Sequence, residues 1–187
     1  PAIDLSETYE SFYFIADYHA LTSVKNPEEL RHQTLQITAA WIALGLDPKK
    51  TTFYKQSDIP EIFELTWILS CYTPKGLLNR AHAYKTAIET NKTTQQEPDH
   101  NINQGLYSYP VLMAADILLF HSNYVPVGAD QKQHIEIARD IAATINHLHG
   151  DVLTCPEPMI NDEVKVIPGI DGQKMSKNYD NTLPRFM

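Results

Sequence analysis

Short apolar runs alternate with long helical patterns along this chain, and that alternation constrains its fold more than any other feature. Ser11 to Ala16, SFYFIA, reads as a buried strand ending at Asp17. Asn26 then offers an N-cap, Pro27 a first helical position, and Glu28 and Glu29 suit the positive end of a helix. That helix is expected to run to about Leu44 and to stop at Gly45. Thr51 to Lys55, TTFYK, is a second strand. Pro60 opens a helix to about Ser70, and a further helical stretch spans about Gly76 to Thr90. Tyr109 to Phe120, YPVLMAADILLF, predicts a buried helix starting at Pro110. Asn123 to Val127 is a third strand, and Ala129 to His149 a long amphipathic helix closed by Gly150. Strands alternating with helices predict an α/β fold with a parallel, doubly wound sheet. The polar run NKTTQQEPDHN, Asn91 to Asn101, is the segment expected to be a flexible, disordered loop.

In such sheets ligands bind at the carboxyl ends of the strands. Asp17, Gly128 and the loop bearing Lys174 fall at such ends or just beyond them. With 187 residues, 43% of them hydrophobic and 20% charged, the chain is long and apolar enough for one sizeable soluble domain. It has no apolar run near the roughly 18 residues of a membrane span, and its first residues show no secretory signal. Cys71 and Cys155 lack metal-like spacing and fit a reducing cytoplasm. A net charge of −8 argues against a general nucleic-acid coat but leaves room for a local basic patch.

Four stretches carry candidate chemistry. In VPVGADQKQHIE, Val125 to Glu136, Gly128 allows a ligand to approach the backbone; Asp130 suits ribose hydroxyls and Gln131 a polar ligand group. A helix cap would explain Asp130 alone, but less well the cluster of Gly128, Asp130, Gln131 and His134. Asp116 lies among Met113, Ala114, Ala115, Ile117 and Leu118, where an ionised carboxylate is costly unless partnered. It suits an apolar ligand carrying one N–H donor, such as an indole, or equally a salt bridge or helix cap inside the core. His19 stacks on a flat ligand or caps the turn after the first strand. GQKMSKN, Gly172 to Asn178, sets Lys174 and Lys177 three apart after a turn signal, as a solvated basic turn or a grip on phosphates. Lys75, Arg80, His82 and Lys85 fall in one helical region, more simply a solvated basic face than a phosphate or tRNA contact.

Taken in order, ADYHALT, YPVLMAADILL, PVGADQKQHIE and KMSK resemble the bacterial-type tryptophanyl-tRNA synthetases, class I aminoacyl-tRNA synthetases, from about Ser11 to Thr182. Tyrosyl-tRNA synthetases share the fold and the lysine loop, but DQKQH and the AADILL helix favour tryptophan. The resemblance implies a Rossmann-like catalytic domain, here partial over residues 1–187, with a helical insertion at about 60–101 that forms a dimer interface. It implies a tryptophan–tRNA ligase using ATP, with Mg2+, to make tryptophanyl-adenylate and charge tRNA(Trp). Asp116 would accept from the indole N–H beside Met113 and Ile117. Tyr109 and Gln131 would hold the ammonium, and His19, Val125 and Val127 would line the pocket. Gly128 and Asp130 would meet the ATP ribose, with Met175 and Ser176 of the loop also on ATP and Lys174 and Lys177 gripping the departing pyrophosphate. Two departures stand out: Asn178 replaces the usual serine after KMSK, and no His-Ile-Gly-His-type motif or anticodon-binding domain is present. The alternatives are a non-catalytic tryptophan-binding module, a tyrosyl-type enzyme or another nucleotidylyltransferase of the same fold.

Overall fold

The computed structural model describes residues 2–128 and 131–160. A short helix α1 (Ala2–Leu5) leads into β1 (Phe12–Ile15), the four-residue helix α2 (Asp17–Ala20) and α3 (Pro27–Ala43). Then come β2 (Thr52–Lys55), a 3-10 turn over Gln56–Asp58, α4 (Glu61–Tyr72), α5 (Lys75–Leu78) and α6 (His82–Thr93). α7 (Gln104–Leu118), β3 (Tyr124–Val127), α8 (Lys132–His149) and β4 (Glu157–Ile160) complete the described chain.

The strands are parallel, as the alternation requires, because a parallel pair needs a crossover and each pair here has helical connections. β1 pairs with β2 from Phe12 opposite Thr52 to Ile15 opposite Lys55. β3 pairs with β4 from Tyr124 opposite Glu157 to Val127 opposite Ile160. Among the described residues these form two separate two-stranded sheets. A cleft of about 270 Å³ lies where β1 and β3 begin, lined by Ser11, Phe12, Asn123 and Tyr124 among others. It sits toward the amino ends of those strands, away from Asp17 and Gly128.

The core is helical. α4, α7 and α8 bury Ile62, Leu69, Val111, Ala114, Ala115, Leu118, Ile135, Ala138, Ile141 and Ala142 at 0–1% exposure. The alanines let α7 and α8 approach closely, while the branched residues fill the space between them. α3 is held differently: Trp41 stacks on Tyr13 at 5.4 Å and lies 6.1 Å from Phe53, pinning its end to the first sheet.

Several boundaries follow the sequence closely. The Asn26 side chain accepts from the N–H groups of Glu28 and Glu29, and Gly45 takes a φ of +101° just past α3, a left-handed turn natural to glycine. Gly150 caps α8 at φ +86° in the same way.

Other boundaries differ. α7 starts at Gln104 rather than Pro110, because Asn103 caps it by accepting from the Leu106 N–H at 2.9 Å. Pro110 therefore sits inside the helix, fully buried, where it costs one backbone bond that packing must offset. The helical stretch from Gly76 breaks at Arg80, giving α5 and α6. Asn91–Asn101 is not disordered. α6 runs to Thr93, Asn91 Nδ2 donates to the carbonyls of Pro98 and His100 at 2.8 Å each, and Tyr84 donates to Asp99 at 2.8 Å. β1 is less buried than expected: Ile15 is covered, but Phe12 is 37% exposed beside the cleft. β4 was not anticipated. α8 begins at Lys132, and Ala129 lies outside the described residues.

Candidate functional site

α7 carries a carboxylate into the centre of the molecule. Tyr109, Met113 and Asp116 are spaced four and three apart, which sets them on one face of the helix. The Asp116 side chain is 1% exposed, and burial of a carboxylate without partners is costly. It has partners. Gln56, fully buried just past the carboxyl end of β2, donates from Nε2 to Asp116 Oδ1 at 2.8 Å and Oδ2 at 3.0 Å. His19 Nε2 lies 2.9 Å from Oδ2, so with Asp116 ionised this ring nitrogen carries the hydrogen. Burial pushes the Asp116 carboxyl above the ordinary carboxylate range, while the His19 hydrogen bond and charge and the Gln56 amide pull it back.

Gln56 is itself oriented from behind. Its Oε1 accepts from the backbone N–H of Tyr18 at 3.2 Å and of His19 at 3.4 Å. Only one orientation of the amide satisfies both sides, since the other would turn its oxygen on the carboxylate. Asp17 completes the junction by accepting from the Ser57 N–H at 3.0 Å. Three elements thus meet in one polar knot: the start of α2, the turn after β2, and α7. Tyr54, stacked on Phe14 at 5.5 Å, lies close enough that burial first and the Asp116 charge second raise its phenol pKa.

Of the expected pocket residues, His19 belongs to this knot and Tyr109 lies against it. The Tyr109 hydroxyl is 2.5 Å from Nε2 of His134 on α8, and burial raises the Tyr109 pKa. Its ring meets the His19 ring edge-on, centroids 6.1 Å apart. Met113, Val125 and Val127 are partly buried against the helical core, and Ile117 is 7% exposed. Gln131 lies at the N-cap of α8, and its N–H donates to the Gly128 carbonyl at 2.9 Å, closing the turn after β3. Gly128 is exposed at that turn. Asp130, Lys174, Met175, Ser176 and Lys177 lie outside the described residues. Lys75, Arg80, His82 and Lys85 are all exposed, spread over α5, α6 and the break between them.

Gln56 was missed in the sequence. Its one signal was position: it follows TTFYK at a strand's carboxyl end, the same kind of place as Asp17 and Gly128.

The family model for class I tRNA synthetases (W and Y) matches residues 2–184. The chain belongs to that family. Over its whole length it is 55% identical to the tryptophan–tRNA ligase of Bordetella pertussis and 56% identical to that of Pseudomonas putida, covering 42% of each. This class I synthetase chain thus spans about two fifths of the length of those curated relatives. Its fold matches a crystal structure of tryptophanyl-tRNA synthetase from Campylobacter jejuni complexed with ADP and tryptophan. There the TM-score is 0.85 at 50% identity, over 96% of this chain and 54% of that one. A tyrosyl-tRNA synthetase from Archaeoglobus fulgidus matches at a TM-score of 0.68 and 22% identity, a likeness of fold alone. The bacterial tryptophanyl branch expected from the four motifs is therefore where the chain's high identities lie.

Proposed function

We propose that the protein to which this chain contributes is a tryptophan–tRNA ligase. Carrying the reading is the buried Asp116 carboxylate, on one helix face with Tyr109 and Met113, in a chain 55% identical to such ligases. In the first step the tryptophan carboxylate attacks the α-phosphate of ATP, forming tryptophanyl-adenylate and releasing pyrophosphate. In the second, a 3′-terminal ribose hydroxyl of tRNA(Trp) takes the aminoacyl group and AMP leaves. Neither step needs covalent participation by the protein, so its task is positioning and charge stabilisation.

Asp116 takes the indole N–H, with Met113 and Ile117 beside it, and Tyr109 and Gln131 hold the ammonium. His19, Val125 and Val127 enclose the ring. Gly128 and Asp130 meet the ATP ribose, and Lys174 and Lys177 follow the pyrophosphate as its charge grows, with Met175 and Ser176 between them. Mg2+ arrives with ATP, whose phosphates and waters supply most of its ligands. Phe63, Trp67 and Ile68 on α4 are 45%, 73% and 50% exposed, which supports a homodimer joined through the helical insertion at about 60–101. Among the described residues no helix is long and apolar enough to cross a membrane.

The test is amino-acid-dependent exchange of labelled pyrophosphate into ATP by the complete protein. Tryptophan should support exchange and tyrosine should not. Tryptophan binding without exchange would leave a binding module, and exchange driven by tyrosine would move the protein to the tyrosyl branch.

A further inference from the structure

We infer that Gln56 is a positioning residue for tryptophan selection, fixing the Asp116 carboxylate so that one of its oxygens is kept for the indole N–H. The inference rests on the assignment of Asp116 as the indole acceptor.

A carboxylate has about four acceptor sites. Gln56 Nε2 reaches both oxygens of Asp116, at 2.8 and 3.0 Å, and among the described residues the other hydrogen-bond partner is His19 Nε2, on Oδ2 at 2.9 Å. The two partners differ in kind. Gln56 is 0% exposed and is gripped from behind by two backbone N–H groups, so it has no freedom to leave. The His19 side chain is 20% exposed and bonds Asp116 through one ring nitrogen only. An N–H on a flat aromatic ring already sits at Oδ2, which is the contact an indole would make. His19 is thus the exchangeable partner and Gln56 the fixed one.

The chemistry of the amide explains why glutamine stands here. A carboxylate must point its lone pairs at the ligand, and its rotation about the terminal torsion is otherwise broad. An amide that is donor on one edge and acceptor on the other locks that torsion to the backbone of α2. It also favours the ionised carboxylate, which burial opposes. A charged acceptor discriminates more strongly for an N–H than a neutral one, because hydrogen bonds to charged groups are the stronger kind. Losing Gln56 should therefore weaken recognition of the indole N–H while leaving the apolar pocket intact.

The experiment compares tryptophan with its benzothiophene analogue, in which sulfur replaces the indole N–H, in pyrophosphate exchange by the complete protein. In Gln56→Met the ratio of kcat/KM for tryptophan over the analogue should fall about 10- to 100-fold, the loss expected of one hydrogen bond to a charged group. The analogue's own kcat/KM and the KM for ATP should move by no more than about 3-fold, within ordinary variation of such comparisons. A purely structural role would lower both substrates together, and an unchanged ratio would equally overturn the inference. Should Gln56→Met not fold, Gln56→Asn gives the same readout, since its amide falls one methylene short of both partners. Asp116→Ala separates the two levels. If it leaves the ratio intact, the indole acceptor is misassigned. If it collapses the ratio while both Gln56 variants keep it, only the role of Gln56 fails.

Discussion

The apolar seam between α7 and α8 and the polar knot around Asp116 use the same helix for opposite purposes. On one face of α7, Val111, Ala114, Ala115 and Leu118 are at most 1% exposed against α8 and α4, and each gains from leaving water. On the next face, Asp116 is almost as deeply buried and loses by it, since its carboxyl is pushed upward in pKa. The seam contributes stability that many apolar sequences of the right volume would also supply. The knot needs three named polar groups in register and contributes little net stability. A fold keeps such a group at a cost when a ligand uses it, which is how buried acids with raised pKa come to mark sites.

The largest effect expected is on tryptophan use. Asp116→Ala should lower kcat/KM for tryptophan in pyrophosphate exchange by as much as about 10⁴- to 10⁵-fold, as in sites built around a substrate hydrogen bond, with ATP binding little changed. Survival of wild-type exchange would move Asp116 from the site to the core. On its proposed role of following the departing pyrophosphate, Lys177→Ala should cost about 10²- to 10³-fold in kcat for adenylate formation and leave the KM for tryptophan alone. On the seam, Leu118→Ala should destabilise by about 2–5 kcal/mol in denaturant unfolding without altering the choice between tryptophan and the benzothiophene analogue. A selectivity change there would blur the division between seam and knot. Away from both, Asn26→Ala should cost about 1 kcal/mol, since it removes the cap whose side chain serves Glu28 and Glu29.

How much of this was legible in the sequence depended on how local the cause was. β1, β2 and β3 were readable because their apolar runs are bounded by polar or small residues, and α3 because Asn26, Pro27 and Gly45 punctuate it. β4 was not, because EPMI is four residues long and holds Pro158, which argues against a strand unless it lies at an edge. Pro110 misled for a related reason: proline favours a helix start, yet Asn103 supplies a cap seven residues earlier, one visible only as a hydrogen bond. The site divides in the same way. Asp116 was visible as an acid among apolar residues, and its face with Tyr109 and Met113 follows from helical spacing. Its pairing with Gln56 spans 60 residues and depends on the close of one strand meeting the last turn of one helix. No local pattern encodes that contact, and a glutamine beside a serine and an aspartate reads as surface.

The central claim is that Asp116 serves a ligand at the expense of the fold, and thermal unfolding of Asp116→Asn in the complete protein tests it most directly. A carboxyl whose native pKa is raised gives stability that is complete below its unfolded pKa and is lost as pH rises through the native value. The melting temperature of Asp116→Asn relative to the parent should therefore rise as pH rises from 4 to 8. At pH 8 without ligand the variant should melt at or above the parent, a difference on the order of 1 kcal/mol or less in stability. Added tryptophan should raise the parent's melting temperature by mass action and leave the variant's almost unmoved. A variant that melts well below the parent at pH 8, and that tryptophan still stabilises, would make Asp116 a structural acid and contradict the account.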